Sequence, residues 1–156
     1  EVPRYTMYGH SAGAQFVHRY VIFMPEARIA QAIAANAGWY TMPDREIAFP
    51  YGLDDTPMDA QTLKAALGKP LLVLLGTADT DTQDPDLRTT PDANRQGPHR
   101  YARGLRFYEQ GRTAAAEMDA PFGWQLDRVP GVGHKNGLMA QAAAKLITVQ
   151  GGDEQK

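Results

Sequence analysis

The sequence contains no cysteine, so it can form neither disulfide bonds nor a thiolate nucleophile, and it offers no cysteine ligands for zinc. It also lacks an excess of basic charge, because 16 lysines and arginines stand against 18 acidic residues. We therefore expect neither nucleic acid nor an anionic membrane as a partner. No apolar run approaches the roughly 20 residues that span a bilayer. These absences predict a soluble protein, cytoplasmic or secreted.

What is present suits one globular domain. The 156 residues are 43% hydrophobic, which is enough for a substantial core. The sequence contains no internal repeat. We assign residues 1–150 to this domain and the last six residues, 151–156 (GGDEQK), to a flexible tail. No signal peptide is visible, but the chain starts at Glu1, which suggests processing or truncation.

Predicted strands and helices alternate along the chain. Apolar or β-forming runs predict strands at Val2–Tyr8, Ile29–Trp39, 70–76 (PLLVLLG) and Trp124–Pro130. Helical spacing predicts helices at 12–24, 59–67, 98–118 and 138–147. The proline-containing segment 40–58, which could form a small lid, and the polar segment 77–97 are predicted loops. This order predicts an α/β fold, a mostly parallel sheet of about four strands with helices on both faces.

The motif GHSAG places Ser11 between Gly9 and Gly13, after a predicted strand and before a predicted helix. That context is typical of a nucleophile elbow, a sharp turn from which a serine hydroxyl projects. Glycines are expected on both sides, because side chains there would collide with the neighbouring strand and helix. The alternative is a serine that only caps an ordinary helix.

Two further residues follow other predicted strands in the same way. Asp79 comes directly after PLLVLLG, and His134 comes after the last predicted strand. The carboxyl ends of parallel strands meet at one edge of a sheet, so we expect these residues to lie near Ser11. A serine nucleophile needs a base, and the base needs an orienting acid. Asp81, two residues on, and Asp44, after the preceding strand, are the alternative acids.

Other candidate ligands have structural interpretations. His10, His18 and His99 do not follow predicted strands, so each is expected to be structural or solvated. The stretch DTDTQDPD resembles a calcium loop in its alternating carboxylates, but Gln83 and Asp84 stand where an EF-hand needs an aspartate or asparagine and a glycine. A solvated acidic loop is the default interpretation, and no metal or cofactor is expected.

Two aromatic residues are candidates for substrate binding. Trp39 is the last residue of the second predicted strand and Tyr40 follows it directly. Both are therefore expected at the edge of the sheet that carries Ser11, Asp79 and His134. They could line a pocket for an acyl or aromatic group, or belong to the core.

Together these motifs resemble the C-terminal half of an α/β-hydrolase, specifically the serine esterase and depolymerase-like members. GHSAG matches the nucleophile elbow, GTAD the acid turn and GVGH the histidine turn, in the chain order Ser, Asp, His. The resemblance implies that Ser11 is the nucleophile, His134 the base and Asp79 its orienting acid. It also implies that the backbone N–H of Ala12 is an oxyanion donor and that the substrate is a small carboxylic ester.

The resemblance also implies that part of the fold is missing. The family's core has more strands before the elbow, and its second oxyanion donor comes from one of the earlier loops. The strand Val2–Tyr8 would then be an open edge that pairs with the missing N-terminal half or with a second copy of the chain. The alternatives to esterase activity are a weak or inactive fragment that associates through this edge, or a thioesterase, peptidase or acyltransferase.

Overall fold

The computed structural model describes residues 3–147, which form one parallel sheet with helices around it. The strands lie side by side in chain order and are all parallel: β1 (Tyr5–His10), β2 (Ile29–Ala35), β3 (Leu71–Gly76) and β4 (Gln125–Val129). The predicted fold class is confirmed. Val2 and the predicted tail 151–156 lie outside the described residues.

The helices connect the strands and are α1 (Ala12–Phe23), α2 (Ala60–Leu67), α3 (Pro91–Gln96), α4 (Arg100–Glu117) and α5 (Asn136–Leu146). Side-chain caps explain three of the starts. Asp59, Thr90 and His99 each accept a backbone N–H from the first turn of α2, α3 and α4, respectively. No helix within residues 3–147 is long and apolar enough to cross a membrane.

The two faces of the sheet form separate cores, because successive side chains of a strand point to opposite faces. Ala34 and Val73 face α1, α2 and α4, where Phe107 is also buried. Ile33 and Leu74 face α5 on the other side. β3 is buried along its whole length, as expected for a central parallel strand.

Several boundaries differ from the sequence-based prediction. β1 continues to His10, because its ladder with β2 runs on to Ala35. The predicted loop 77–97 contains the short helix α3, which the sequence analysis missed because Thr90 and Pro91 form a start signal without an apolar period. Phe16, which fits the apolar spacing of α1, is 62% exposed.

The segment 40–58 contains no helix and no strand of the sheet, as predicted, but it is not a detached loop. Tyr40, Met42, Tyr51 and Leu53 are buried in it, and Ala48 and Asp54 form an isolated bridge. The segment therefore packs on the same side of the sheet as α1 and α4.

Candidate active site

Ser11 occupies a strained turn between β1 and α1. Its backbone has φ 55° and ψ −116°, a region that residues with a side chain rarely adopt and that costs of order 1–3 kcal/mol. Its N–H donates to the carbonyl of Ala35 at 3.0 Å, which fixes the turn to the end of β2. Ser11 makes no side-chain capping bond to α1. The structure thus disagrees with the interpretation of Ser11 as an ordinary helix cap.

The two glycines of the motif differ in what surrounds them. A side chain at Gly9 would collide with the backbone of Gly13 and Ala14, so the turn requires glycine there. A side chain at Gly13 would meet no atom within 4 Å. The expectation of a collision therefore holds for Gly9 and is wrong for Gly13 among the described residues.

Ser11, His134 and Asp79 form one hydrogen-bonded series. The Ser11 hydroxyl lies 3.0 Å from Nε2 of His134, and Nδ1 of the same ring lies 2.8 Å from Oδ2 of Asp79. Because a carboxylate only accepts, Nδ1 carries the proton and Nε2 is free to accept from the serine. The Asp79 side chain is 2% exposed and that of His134 is 22% exposed. The series therefore runs from a buried carboxylate to an accessible hydroxyl.

Neither alternative acid reaches the histidine. Asp81 is exposed and accepts the backbone N–H of Gln83. Asp44 accepts the backbone N–H of Glu46, in the segment 40–58. Asp79 alone among the three candidate acids contacts His134.

A buried arginine lies behind Asp79. Nη1 of Arg100, whose side chain is 1% exposed, is 3.6 Å from Asp79 and donates to Oδ2 of Asp84 at 2.8 Å. This hydrogen bond is the largest influence that lowers the pKa of Asp84 below its usual value. Asp84 belongs to the acidic stretch 79–86, which is therefore not merely a solvated loop. Among residues 3–147, no group of three or more potential ligands could hold a metal ion.

Asn36 connects the loops that carry the acid and the histidine, and the sequence analysis missed it. This fully buried residue follows β2 with a positive φ of 49°. Its side-chain oxygen accepts the N–H of Gly76 at 2.8 Å, and its amide donates to the carbonyl of Gly133 at 3.2 Å. The loop before His134 also packs tightly on β3, because the carbonyl of Val132 lies against Gly76 and accepts the N–H of Ala78.

His10 is closer to the site than predicted, because it is the last residue of β1 and so does stand at a strand end. Its ring centroid lies 4.5 Å from that of His134. Burial, and then the neighbouring His134, lower the pKa of His10 to about 4. His10 is therefore a neutral ring packed against His134 at neutral pH.

The other two histidines have structural roles. His18 is fully buried, with Nδ1 at 2.9 Å from the carbonyl of Ala14 and Nε2 accepting the N–H of Thr41 at 3.0 Å. His99 caps α4 through the N–H of Ala102.

The two aromatic residues that are candidates for substrate binding differ in their surroundings. Tyr40 is fully buried, and its ring stacks on Phe107 at a centroid distance of 4.6 Å. Tyr40 therefore lines no open pocket, and its assignment to substrate binding was wrong, because the chain turns inward there. Trp39 is 8% exposed, and the guanidinium groups of Arg19 and Arg88 lie over its ring.

Comparison with known proteins gives matches among solved structures. No protein-family model matches the sequence, and no curated protein matches it. Poly(aspartic acid) hydrolase-1 from Sphingomonas sp. KT-1 superposes with a TM-score of 0.91 at 58% sequence identity, over 93% of this chain and 55% of that one. LpqC, a poly(3-hydroxybutyrate) depolymerase from Bordetella parapertussis, gives a TM-score of 0.86 at 48% identity, over 90% of this chain and 47% of that one.

This chain thus spans about half the length of the solved relatives that it matches. Its four parallel strands, the turn at Ser11 and these similarities agree with one another. The chain belongs to the α/β-hydrolase superfamily.

Proposed function

We propose that this chain carries the catalytic residues of a serine hydrolase that cleaves acyl bonds through an acyl-enzyme. The observation that carries the proposal is the pair of contacts made by His134, 3.0 Å to the Ser11 hydroxyl and 2.8 Å to Asp79. Both distances lie within the hydrogen-bonding range expected of a nucleophile, its base and the orienting acid.

The reaction has two halves. Nε2 of His134 takes the hydroxyl proton of Ser11 while the Ser11 oxygen attacks the carbonyl carbon of the substrate. Asp79 stabilises the resulting imidazolium. His134 then returns this proton to the leaving group as the old acyl bond breaks. In the second half, His134 removes a proton from water, which attacks the acyl-enzyme. Collapse of that intermediate breaks the bond to Ser11, which regains its proton from His134.

The negative oxygen of each tetrahedral intermediate needs hydrogen-bond donors. Ala12 is the first residue of α1, and the first N–H groups of a helix have no partner within it. The Ala12 N–H is therefore our candidate for one donor. The resemblance implies a second donor from a loop that precedes the four strands described here. Loss of one donor typically lowers kcat about 10²–10³-fold.

For the substrate we propose a carboxylic ester, and more narrowly an ester bond in the backbone of a polymer. The supporting comparison is the 48% identity to a depolymerase of the polyester poly(3-hydroxybutyrate). An amide is the second candidate, since the 58% identical relative is a poly(aspartic acid) hydrolase. The same three residues serve either bond, so only the pocket separates these substrates.

A fluorophosphonate probe tests the proposed nucleophile. Ser11 is the only serine in the 156-residue sequence, so an adduct on serine can form nowhere else. We expect labelling of the wild type under native conditions and none of Ser11→Ala. The absence of an adduct on folded wild-type protein would contradict the proposal.

Hydrolysis of 4-nitrophenyl butyrate tests the acid with a matched pair. Asp79→Asn should lower kcat by about 10⁴-fold, because a neutral amide does not stabilise the imidazolium and favours the wrong tautomer of His134. Asp81→Asn removes the same charge two residues away and should change the rate less than about twofold. Equal effects of the two substitutions would contradict the assignment of Asp79.

Association is a second candidate function, favoured by the surface beside β1. β1 pairs only with β2 in the part of the chain that the structure describes. On α1, Phe16 is 62% exposed and Met24 is 51% exposed. The occupant would be a second copy of the chain or a segment that corresponds to the part of the solved relatives this chain does not cover.

Sedimentation of the isolated chain tests this association. We expect a dimer that Phe16→Lys weakens and that Gln125→Lys does not, because Gln125 is exposed on β4, at the opposite edge of the sheet. A well-folded wild-type monomer at all concentrations would contradict it.

A further inference from the structure

Two arginines and a tryptophan form a cationic cluster contributed by α1 and by the segments that follow β2 and β3, and the chemistry described so far does not use it. The central carbon of the Arg19 guanidinium lies 4.4 Å from the centroid of the Trp39 ring, and that of Arg88 lies 4.9 Å from the same ring. We refer to Arg19, Trp39 and Arg88 as the arginine platform.

Each guanidinium of the platform donates one side-chain hydrogen bond through its Nε. Nε of Arg19 donates to the Thr41 hydroxyl at 2.9 Å, and Nε of Arg88 donates to the Tyr51 hydroxyl at 2.7 Å. Both acceptors are neutral. The terminal nitrogens of Arg88, at an exposed position, remain for another ligand. The Nη2 of Arg19 is buried and has no hydrogen-bond partner among residues 3–147.

No carboxylate of the described chain neutralises the platform. The ion pairs within residues 3–147 involve Arg95, Arg100, Arg112 and His134, and neither platform arginine takes part in one. Partial burial, and then the positive charge of Arg88, lower the pKa of Arg19. Two cations held close together without a counter-ion are unfavourable, and a bound anion would relieve that repulsion.

The position of the platform relates it to Ser11. Residues four apart lie on one face of a helix, so Ser11, Gln15 and Arg19 follow one line along α1. Arg19 comes eight residues after Ser11, a rise of about 12 Å. The side-chain amide of Gln15 lies against Gly38, the residue directly before Trp39. The face of α1 that carries Ser11, Gln15 and Arg19 therefore contacts the segment that carries Trp39.

We propose that the arginine platform is a subsite for carboxylate groups of an acidic chain substrate, with the backbone of Arg19 about 12 Å along α1 from the reacting serine. A planar guanidinium with free terminal nitrogens matches a carboxylate in two-point geometry, which a lysine would not. An extended chain covers this distance in about three to four residues at 3.3–3.6 Å each. The platform would therefore bind a unit several positions away from the bond that is cleaved. This inference rests on the proposed nucleophile, and it favours the second substrate candidate, an amide-linked acidic chain, over the ester.

Binding of hexa-aspartate, followed by tryptophan fluorescence, tests the subsite without turnover. We expect saturable binding by the wild type, no binding of hexa-asparagine, and weaker binding as salt rises, because exposed charges are screened. Arg88→Gln, at an exposed position, should raise Kd at least about tenfold. Arg112→Gln removes an equal charge from the far end of α4, and it should leave Kd within about twofold.

The two proposals fail differently. Absence of hexa-aspartate binding, or equal losses in Arg88→Gln and Arg112→Gln, would overturn the subsite even if 4-nitrophenyl butyrate is hydrolysed. Binding that depends on Arg88, together with no adduct on Ser11, would leave the subsite standing and overturn the proposed nucleophile. Inhibition of butyrate hydrolysis by hexa-aspartate in the wild type, lost in Arg88→Gln, would support both.

Discussion

Nη1 of Arg100 lies 3.6 Å from Oδ1 of Asp79, the carboxylate oxygen that does not meet His134. Both side chains are almost completely buried. A buried cation is costly unless it is paired, and here Asp79 and Asp84 together supply the pairing. Arg100 is therefore a positioning residue, which fixes the carboxylate that in turn holds the histidine ring.

Arg100→Gln should strongly destabilise the fold. The substitution leaves buried Asp79 without its cation, and breaking a buried pair in this way costs about 3–5 kcal/mol. Urea unfolding measures the loss. The control is Arg112→Gln, whose exposed partner is Glu109 and whose loss should stay below about 1 kcal/mol. Similar losses in the two variants would show that the buried ion pair does not stabilise the structure.

Asn36 gives a second prediction, because two substitutions separate the stabilising effect of its side-chain hydrogen bonds from that of its backbone conformation. Asn36→Ala removes both hydrogen bonds and also puts an alanine at a positive φ, whereas Asn36→Gly removes the bonds but suits that backbone. Each unpaired buried group costs about 1–3 kcal/mol. We expect both variants to be less stable than the wild type and Asn36→Ala to be the worse by about 1 kcal/mol.

Asn36→Asp isolates one of the two bonds. The carboxylate still accepts the N–H of Gly76 but cannot donate to the carbonyl of Gly133. We expect a lower rate of fluorophosphonate labelling at Ser11, since the loop before His134 loses its hydrogen bond to residue 36 at the end of β2. A labelling rate equal to that of the wild type would mean that this connection does not position the histidine.

The sequence was sufficient to predict the sheet and the meeting point of three polar residues. β3 is an uninterrupted apolar run, so its burial follows from composition. Once the strands are known to be parallel, their carboxyl ends must share an edge, which brings Asp79 and His134 to Ser11 without knowledge of any side-chain contact.

The residues that hold this site in place could not be predicted from pattern. Arg100 and Arg103 stand in a helix start rich in charge, where periodicity assigns such residues to solvent, yet both are buried. Asn36 interrupts an apolar run and looks like a turn residue. Asn36 is buried against partners 40 or more residues away in the chain. Arg100 pairs with Asp79, and Arg103 donates to the carbonyl of Gly38. These contacts exist only in the folded chain, so the sequence pattern does not reveal them.

The two glycines beside Ser11 should respond in opposite ways to alanine. Gly9→Ala forces a methyl group into the backbone of Gly13, so we expect a loss of several kcal/mol or failure to fold. Gly13→Ala adds a methyl group in open space within α1 and favours the helix by about 0.5–1 kcal/mol. Thermal unfolding of both variants provides the comparison. Equal destabilisation would contradict the asymmetry of the turn.

Acidification should destabilise the protein through its buried histidines. Burial lowers the pKa of His18 to about 3 from its usual 6.5, and that of His10 to about 4. The unfolded chain therefore takes up protons near pH 6.5, whereas the folded chain resists them. The free energy of unfolding should fall as the pH drops below 6.5, by about 1.4 kcal/mol per pH unit for the fully buried His18 and by less for the half-buried His10, until the folded-state pKa is reached.

Urea unfolding of the wild type and His18→Gln at pH 7, 6 and 5 tests this assignment. His18→Gln should be less stable than the wild type at pH 7, because the buried N–H of Thr41 loses its acceptor. Its stability should nevertheless depend less on pH, since a glutamine takes up no proton on unfolding. The two stability curves should therefore converge as the pH falls. Parallel curves would mean that the pH dependence comes from groups other than His18.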